Sequence, residues 1–313
     1  MIGSSNESVG ELTMDVIQPF QLEEANLRGR AARLGPTLTE MLSRHDYPPR
    51  VEQLLAEVTI VAVVLAGLLK YDGVFTLQAK GDGPVSLVVA DVTTAGEIRA
   101  YARFEADRLP PPGDPTDVRH LLGRGYLAFT VDQGEHTDRY QGIVELTGDS
   151  LSECLAHYFR QSEQLLTSVK LAARRHPEGW RAGALLLQRL PDDDTARIGK
   201  SLAEDAEDWT RANLLMATAA EVELLDRTLH LNNLLFRLFH EERVRVFPPM
   251  AVKRGCRCSE ARVRRVLRSL SRTELDEMKL DGEVVVTCEF CSASYRYDDR
   301  AIDLIFAEGE GAS

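Results

Sequence analysis

The length, composition and charge of the chain exclude several classes of protein. Its 313 residues are enough for about two domains and a substantial core. A hydrophobic content of 44% with 27% charged residues is typical of a soluble globular protein, and a net charge of −12 argues against general affinity for nucleic acids or anionic membranes. The longest apolar run, residues 58–69, is too short to span a bilayer.

Residues 1–14 predict a disordered tail. They contain no basic stretch followed by an apolar one, which argues against a signal peptide. We therefore expect a cytoplasmic protein whose cysteines are reduced.

Residues 15–191 predict an N-terminal domain of mixed helices and strands with an antiparallel sheet, so that the fold class is α+β. The proline pair Pro48-Pro49 opens the first long helix, and glycine-containing turns join neighbouring strands. The predicted elements are a helix over 47–70, strands over 74–79, 85–91, 126–132 and 140–146, and a helix over 151–172.

Residues 192–245 predict a helical, acidic linker. The segment 192–226 begins with three aspartates and contains ten acidic and three basic residues. Thr218 and Glu221 have the spacing of a capping box for one of its helices. The last linker helix repeats apolar residues at helical spacing, and its candidate apolar face is Leu231, Leu234, Leu235, Leu238 and Phe239. Such a face is ordinarily core, but a charged helical linker of this kind should be only marginally stable without a partner surface, which suits a switch.

Residues 246–313 predict a small C-terminal zinc-binding domain with four cysteine ligands. Cys256 and Cys258 form one close pair, Cys288 and Cys291 form a second, and 29 residues separate the pairs. Two close pairs flanking a short module are typical of a tetrahedral thiolate site for one zinc ion. No His follows residue 250, so the expected ligands are four thiolates. Basic residues surround the first pair in sequence and should keep its sulfurs ionised.

The same domain shows clear local signals. Ser259 is placed to cap a helix, Ser271 and Glu274 form a capping box for the next, and Gly282 is predicted to end that second helix. A hairpin over 283–297 should carry the second cysteine pair. A module this small should depend on its metal for folding.

No sequence motif indicates an enzyme. The chain has no GxSxG elbow and no P-loop lysine, and the stretch that begins at His240 like a metalloprotease motif has Val244 where the second His would stand. Cys154, far from the other cysteines, is expected to be a buried or incidental thiol.

The ordered motifs resemble those of the heat shock protein 33 family of redox-regulated chaperones, over nearly the whole chain. The motifs are Gly81-Asp82-Gly83-Pro84, Tyr140-Gln141-Gly142-Ile143-Val144, Tyr158-Phe159, Leu235-Phe236-Arg237-Leu238-Phe239-His240-Glu241-Glu242, Cys256-Arg257-Cys258-Ser259 and Val286-Thr287-Cys288-Glu289-Phe290-Cys291. The acidic stretch 192–208 and the glycine-rich C-terminal tail depart from that family's pattern.

The resemblance implies an ATP-independent holdase that is inactive when reduced and zinc-bound. Oxidation would join Cys256 to Cys258 and Cys288 to Cys291 and release zinc. The zinc domain and linker would then unfold and expose apolar surface that binds unfolded or oxidatively damaged client proteins, with 15–191 as the substrate-binding core. The oxidised form is expected to be a homodimer.

One other function stays open from the sequence, and a second lacks its motif. The chain could be a zinc-ribbon nucleic-acid binder that uses the arginine-rich segment 257–272, in which case its affinity would fall steeply with salt. A thiol-disulfide oxidoreductase would require a lone CxxC on a thioredoxin-like unit, which the chain lacks.

Overall fold

The computed structural model describes residues 14–111, 118–134, 140–190 and 202–310. These residues form an α+β structure with antiparallel sheets, as predicted, and the chain divides into two compact units between Arg254 and Gly255. Residues 1–13 of the predicted tail and Asp192 to Asp194 of the predicted linker lie outside the described residues. The domain limits at 191 and 245 stay predictions.

The larger unit contains two sheets and the helices that pack on them. Its strands are β1 (Val16–Leu22), β2 (Leu27–Leu34), β3 (Val74–Gly81), β4 (Val85–Thr93), β5 (Glu97–Phe104), β6 (Gly125–Asp132), β7 (Tyr140–Glu145), β8 (Thr167–His176), β9 (Gly179–Arg189), β10 (Val244–Val246), β11 (Met250–Ala251) and β12 (Lys253–Arg254). Its helices are α1 (Pro36–Leu42), α2 (Pro49–Ala66), α3 (Val118–Leu122), α4 (Leu151–Ser162), α5 (Leu202–Ala217), α6 (Glu221–Leu225) and α7 (Leu231–Phe239).

The two sheets differ in strand order but share antiparallel pairing. The first sheet has the order β10-β1-β2-β9-β8, with β11 also pairing with β1. The second has the order β12-β5-β4-β3-β6-β7, in which β12 runs parallel to β5. The three short strands that precede the smaller unit therefore extend the edges of both sheets.

Helix α2 is the centre of the core. It contacts β2, β8 and β9 of the first sheet and β3, β4 and β5 of the second. It is buried on nearly all sides, as expected for a helix that is apolar around its whole circumference. Pro49 in its first turn costs no helical hydrogen bond. No helix in the described part of the chain is long and apolar enough to cross a membrane.

The predicted helix over 151–172 is wrong in its second half. Helix α4 ends at Ser162, Gln164 has a left-handed φ of 54°, and residues from Thr167 onward form β8, paired with β9 along its whole length. The alternation of Thr167, Val169 and Leu171 suits a strand, and pairing with β9 decides between the two conformations.

The predicted capping box at Thr218 is also wrong. The Thr218 hydroxyl donates to the carbonyl of Leu215, at the end of the preceding helix. Helix α6 instead starts two residues later than a Thr218 cap requires, with the Glu223 carboxylate accepting from the backbone N–H of Ala220 at 2.8 Å. The acidic side chain of a capping box is therefore Glu223, and the N-cap position is Ala220 and not Thr218.

The smaller unit folds around its own apolar core. Its elements are α8 (Glu260–Arg268), α9 (Arg272–Glu277), β13 (Lys279–Leu280), β14 (Glu283–Thr287), β15 (Ser294–Tyr297) and α10 (Asp299–Glu310). The buried side chains of this apolar core are Leu267, Leu275, Val284, Tyr297, Ile302 and Ile305. This core is small, which fits a unit whose folding needs additional stabilisation.

The sequence predicted the helix caps of the smaller unit correctly but misplaced the end of one helix. Ser259 caps α8 and Ser271 with Glu274 forms a capping box on α9, as predicted. Gly282 does not end α9, which stops at Glu277 with Met278 as its C-cap. Asp281 and Gly282, with φ of 51° and 84°, form the two-residue turn between β13 and β14, a hairpin turn that requires positive φ at both positions.

Candidate metal centre

Two loops of the smaller unit bring the four cysteines together. Cys256 and Cys258 lie immediately before the Ser259 cap of α8, and Cys288 and Cys291 lie in the turn between β14 and β15. That turn is closed by two backbone hydrogen bonds, from Cys288 to the carbonyl of Ala293 and from Ser292 to the carbonyl of Cys288, each 2.9 Å. A helix cap and a tight turn thus fix the two pairs.

The four sulfur atoms form a compact cluster. All lie within 4.8 Å of one another, with Cys256 Sγ 3.7 Å from Cys288 Sγ and Cys258 Sγ 3.4 Å from Cys291 Sγ. A zinc ion with four bonds of about 2.3 Å places its sulfurs about 3.8 Å apart, close to these separations. Four cysteines this close could hold a metal ion, and the predicted C-terminal cluster is confirmed.

The cluster makes its thiols unequal. Burial opposes ionisation at Cys256, but a hydrogen bond from the Cys258 backbone and contacts with the other sulfurs outweigh it and lower the pKa of Cys256 to about 7. Burial raises the pKa of Cys288, and burial together with the neighbouring sulfurs raises the pKa of Cys291 to about 12. Four sulfurs this close cannot all ionise near neutral pH unless a cation balances their charge.

Tyr295 is a neighbour of the cluster whose contact the sequence did not predict. Its hydroxyl donates to Cys258 Sγ at 3.4 Å, and this bond, with burial and the nearby sulfurs, raises the pKa of Tyr295 to about 12. The predicted hairpin over 283–297 could have indicated that Tyr295 lies beside the cysteine turn. Its hydrogen bond would orient a sulfur that belongs to the set of four that could hold a metal ion.

Many basic residues near the first cysteine pair in sequence have acceptors of their own. Arg262 donates to the carbonyl of Arg257 at 2.9 Å, Arg264 pairs with Glu260 at 3.3 Å, and Arg272 pairs with Asp303 at 2.5 Å. Lys253 and Arg254 belong to the larger unit, where they pair with Glu97 and Glu40. The positive charge of the segment is therefore partly neutralised locally.

The predicted apolar face of the linker lies against the first sheet. Helices α5, α6 and α7 cover the face of that sheet opposite α2, and Phe239 stacks on Phe20 of β1 with ring centroids 5.8 Å apart. The apolar contact between sheet and helices includes Val16, Phe20, Leu22, Leu27, Leu185 and Leu187 of the strands and Met216, Leu224, Leu231, Leu234, Leu235, Leu238 and Phe239 of the helices. All of these side chains are buried.

Cys154 is separate from the four clustered cysteines and lies in α4 of the larger unit. Its side chain is buried in the core, and burial raises the pKa of its thiol. These properties are those of a packed, unreactive cysteine.

Comparison with known proteins assigns the chain to a family. The family model described as Hsp33 protein matches residues 15–298. The chain belongs to the Hsp33 family. Relatives named 33 kDa chaperonin are 40% identical over 292 residues in Caulobacter vibrioides, covering 91% of this chain and 95% of the relative, and 38% identical over 299 residues in Azotobacter vinelandii, covering 94% and 95%. Membership in the Hsp33 family supports a chaperone function.

The fold agrees with that of a solved Hsp33 homologue. The crystal structure of the 33 kDa chaperonin from Thermotoga maritima matches with a TM-score of 0.80 at 22% identity, covering 95% of this chain and 99% of that one. At this identity the likeness concerns the fold alone.

Proposed function

We propose that this Hsp33-family chaperone is a redox-regulated, ATP-independent holdase whose switch is a zinc ion on Cys256, Cys258, Cys288 and Cys291. In the reduced state the four thiolates hold one zinc ion, which stabilises the smaller unit. The four thiolates and the divalent ion together carry a charge of about −2, and zinc is the divalent ion that four thiolates in tetrahedral array favour. The separations of the sulfur atoms support this assignment.

Oxidation of the four thiolates would release the ion. Two disulfides form as four electrons pass to an oxidant such as peroxide or hypochlorite, and a disulfide sulfur no longer binds zinc as a thiolate does. The shortest sulfur contacts run across the pairs. We nevertheless propose bonds within the pairs, Cys256 to Cys258 and Cys288 to Cys291, because metal loss removes the arrangement that holds the two loops together and local loops close at the lowest entropic cost.

The observation that carries the function is the apolar contact between the linker helices and the first sheet. One face of each of the helices α5 to α7 is buried against the outer face of the sheet, where it covers Phe20 and Leu187. Their departure would expose both surfaces, and apolar surface of this extent binds other exposed apolar chains. Unfolded or oxidatively damaged proteins present such chains in the cytoplasm, and we propose that the oxidised protein holds them as a homodimer.

One experiment tests the coupling of oxidation, zinc release and chaperone activity. Zinc content, free thiols and suppression of client aggregation are measured before and after peroxide or hypochlorite treatment. We expect one zinc ion and little suppression at the start, then four thiols lost, zinc released and aggregation suppressed. Full suppression by the reduced, zinc-loaded protein would contradict the switch.

The disulfide pairing is tested separately by peptide mapping of the oxidised protein. Bonds within each pair are expected. A dominant bond between Cys258 and Cys288 would refute the proposed pairing while leaving the chaperone function untouched.

A further inference from the structure

Arg33 is a cation buried inside an apolar surface. It lies on β2, on the same face as Leu27 and Ala31, which is the face that α5 to α7 cover. Its exposed fraction is 0%. Burial of a guanidinium is costly unless its donors are satisfied, so the groups that accept from Arg33 show what this site is built to bind.

The acceptors of Arg33 are main-chain carbonyls of the linker. Its Nε donates to the carbonyl of Leu224 at 2.8 Å and one terminal nitrogen donates to that of Glu223 at 2.6 Å. The other terminal nitrogen donates to the carbonyl of Leu229, between α6 and α7. The last carbonyls of a helix accept no hydrogen bond from within the helix and carry partial negative charge, so a guanidinium that donates to them satisfies them.

Gly183 completes the site from the neighbouring strand. It lies directly opposite Arg33 in the pairing of β2 with β9. A Cβ at this position would lie 2.4 Å from the carbonyl oxygen of Leu224, so the absence of a side chain is what lets the end of α6 reach the sheet. Leu224 and Leu225 are buried at this point, so polar and apolar contacts coincide.

We propose that Arg33 and Gly183 form a recognition site for the carbonyl end of a helical turn, filled by α6 in the closed protein and by a client segment after release. The second half rests on the proposed function. Once α6 leaves, three donors of Arg33 lose their acceptors in the middle of an apolar face. A client segment that presents free carbonyls between leucine-like side chains restores both kinds of contact.

The closed-state half is tested by hydrogen exchange on the reduced, zinc-loaded full chain. Arg33→Met keeps most of the side-chain volume and removes the donors, and Gly183→Ala keeps the donors and displaces the Leu224 carbonyl. Each should accelerate exchange over residues 219–239 tenfold or more and leave β3 and β14 unchanged. Arg174→Met is the matched control, because it removes an exposed ion pair with Glu221 of the same helix.

Two results would overturn the closed-state half. One is exchange over 219–239 equal to that of the parent in Arg33→Met. The second concerns the case in which Arg33→Met also accelerates exchange in β3, which would mean general damage to the fold. Gly183→Ala then decides, and exchange over 219–239 equal to that of the parent in this variant would overturn the site.

The client half is tested on the oxidised full chain with two labelled peptides. One has the sequence of residues 219–231 and the other has the same composition in scrambled order, and binding is followed by fluorescence anisotropy. The first peptide should bind the parent at least tenfold more tightly than Arg33→Met, and the scrambled peptide should bind both equally. Equal affinity of the first peptide for the two proteins would overturn the client half. An oxidised parent that suppresses no client aggregation would instead overturn the proposed function, and the exchange result would stand.

Discussion

At the scale of single residues, Gly29 shows how close the contact between sheet and linker is. A Cβ on Gly29 would lie 2.1 Å from the Phe20 ring, which lies across this residue and stacks on Phe239. We expect Gly29→Ala to displace the ring and lower the free energy of unfolding by about 1–3 kcal/mol. Chemical denaturation of the reduced protein measures the change.

A double-mutant cycle separates this clash from any effect of alanine on the strand itself. Phe20→Ala alone should be strongly destabilising, but adding Gly29→Ala to it should cost little further, because the ring is gone. Additive losses in the double variant would show that Gly29 matters for another reason.

The ligand set gives a second prediction at this scale. Cys291→Ser removes one of four sulfurs that lie within 4.8 Å of one another. The variant should therefore lose its zinc ion, and the smaller unit should lose protection in hydrogen exchange. Cys154→Ser, in the core of the larger unit, is the control and should keep the metal. Full zinc retention by the Cys291 variant would contradict a four-thiolate site.

At the scale of elements, α7 presents a buried and an exposed apolar residue side by side. Leu235 is 0% exposed against the sheet, whereas Phe236 is 65% exposed. Leu235→Ala should weaken docking of the helix by about 2–5 kcal/mol, and the reduced protein should then suppress client aggregation without oxidant. Phe236→Ala should stay inactive until oxidised, and equal activity of the two reduced variants would refute the role of the buried face.

Elements with strong local signals were predictable, and those decided by distant contacts were not. Helix α2 follows from its proline start and apolar run, and the four-cysteine cluster follows from spacing. The change from α4 to β8 depends on pairing with β9, which a local pattern does not contain. Arg33 gave no signal, because arginine in a strand is usually exposed and its acceptors are backbone carbonyls about 190 residues away.

At the scale of the whole molecule, the two units should differ in their dependence on metal. A chelator that removes zinc from the reduced protein should abolish exchange protection in β14 and β15, since a core of this size lacks the roughly 10–16 kcal/mol that structural zinc supplies. Protection in β3 and β4, neighbouring strands that contribute side chains to the buried core of the larger unit, should persist. Simultaneous loss of both would show that the units do not fold independently.

The edge strands β10, β11 and β12 have a consequence for how the switch resets. They attach the chain after α7 to β1 and β5, and β9 precedes α5 in the first sheet, so helices α5 to α7 lie between strands that are paired in the sheets. If those strands stay paired, released helices face their docking surface at an effective concentration on the order of millimolar. In the proposed mechanism a bound client competes with this tethered segment, so reduction and return of metal would favour displacement of the client.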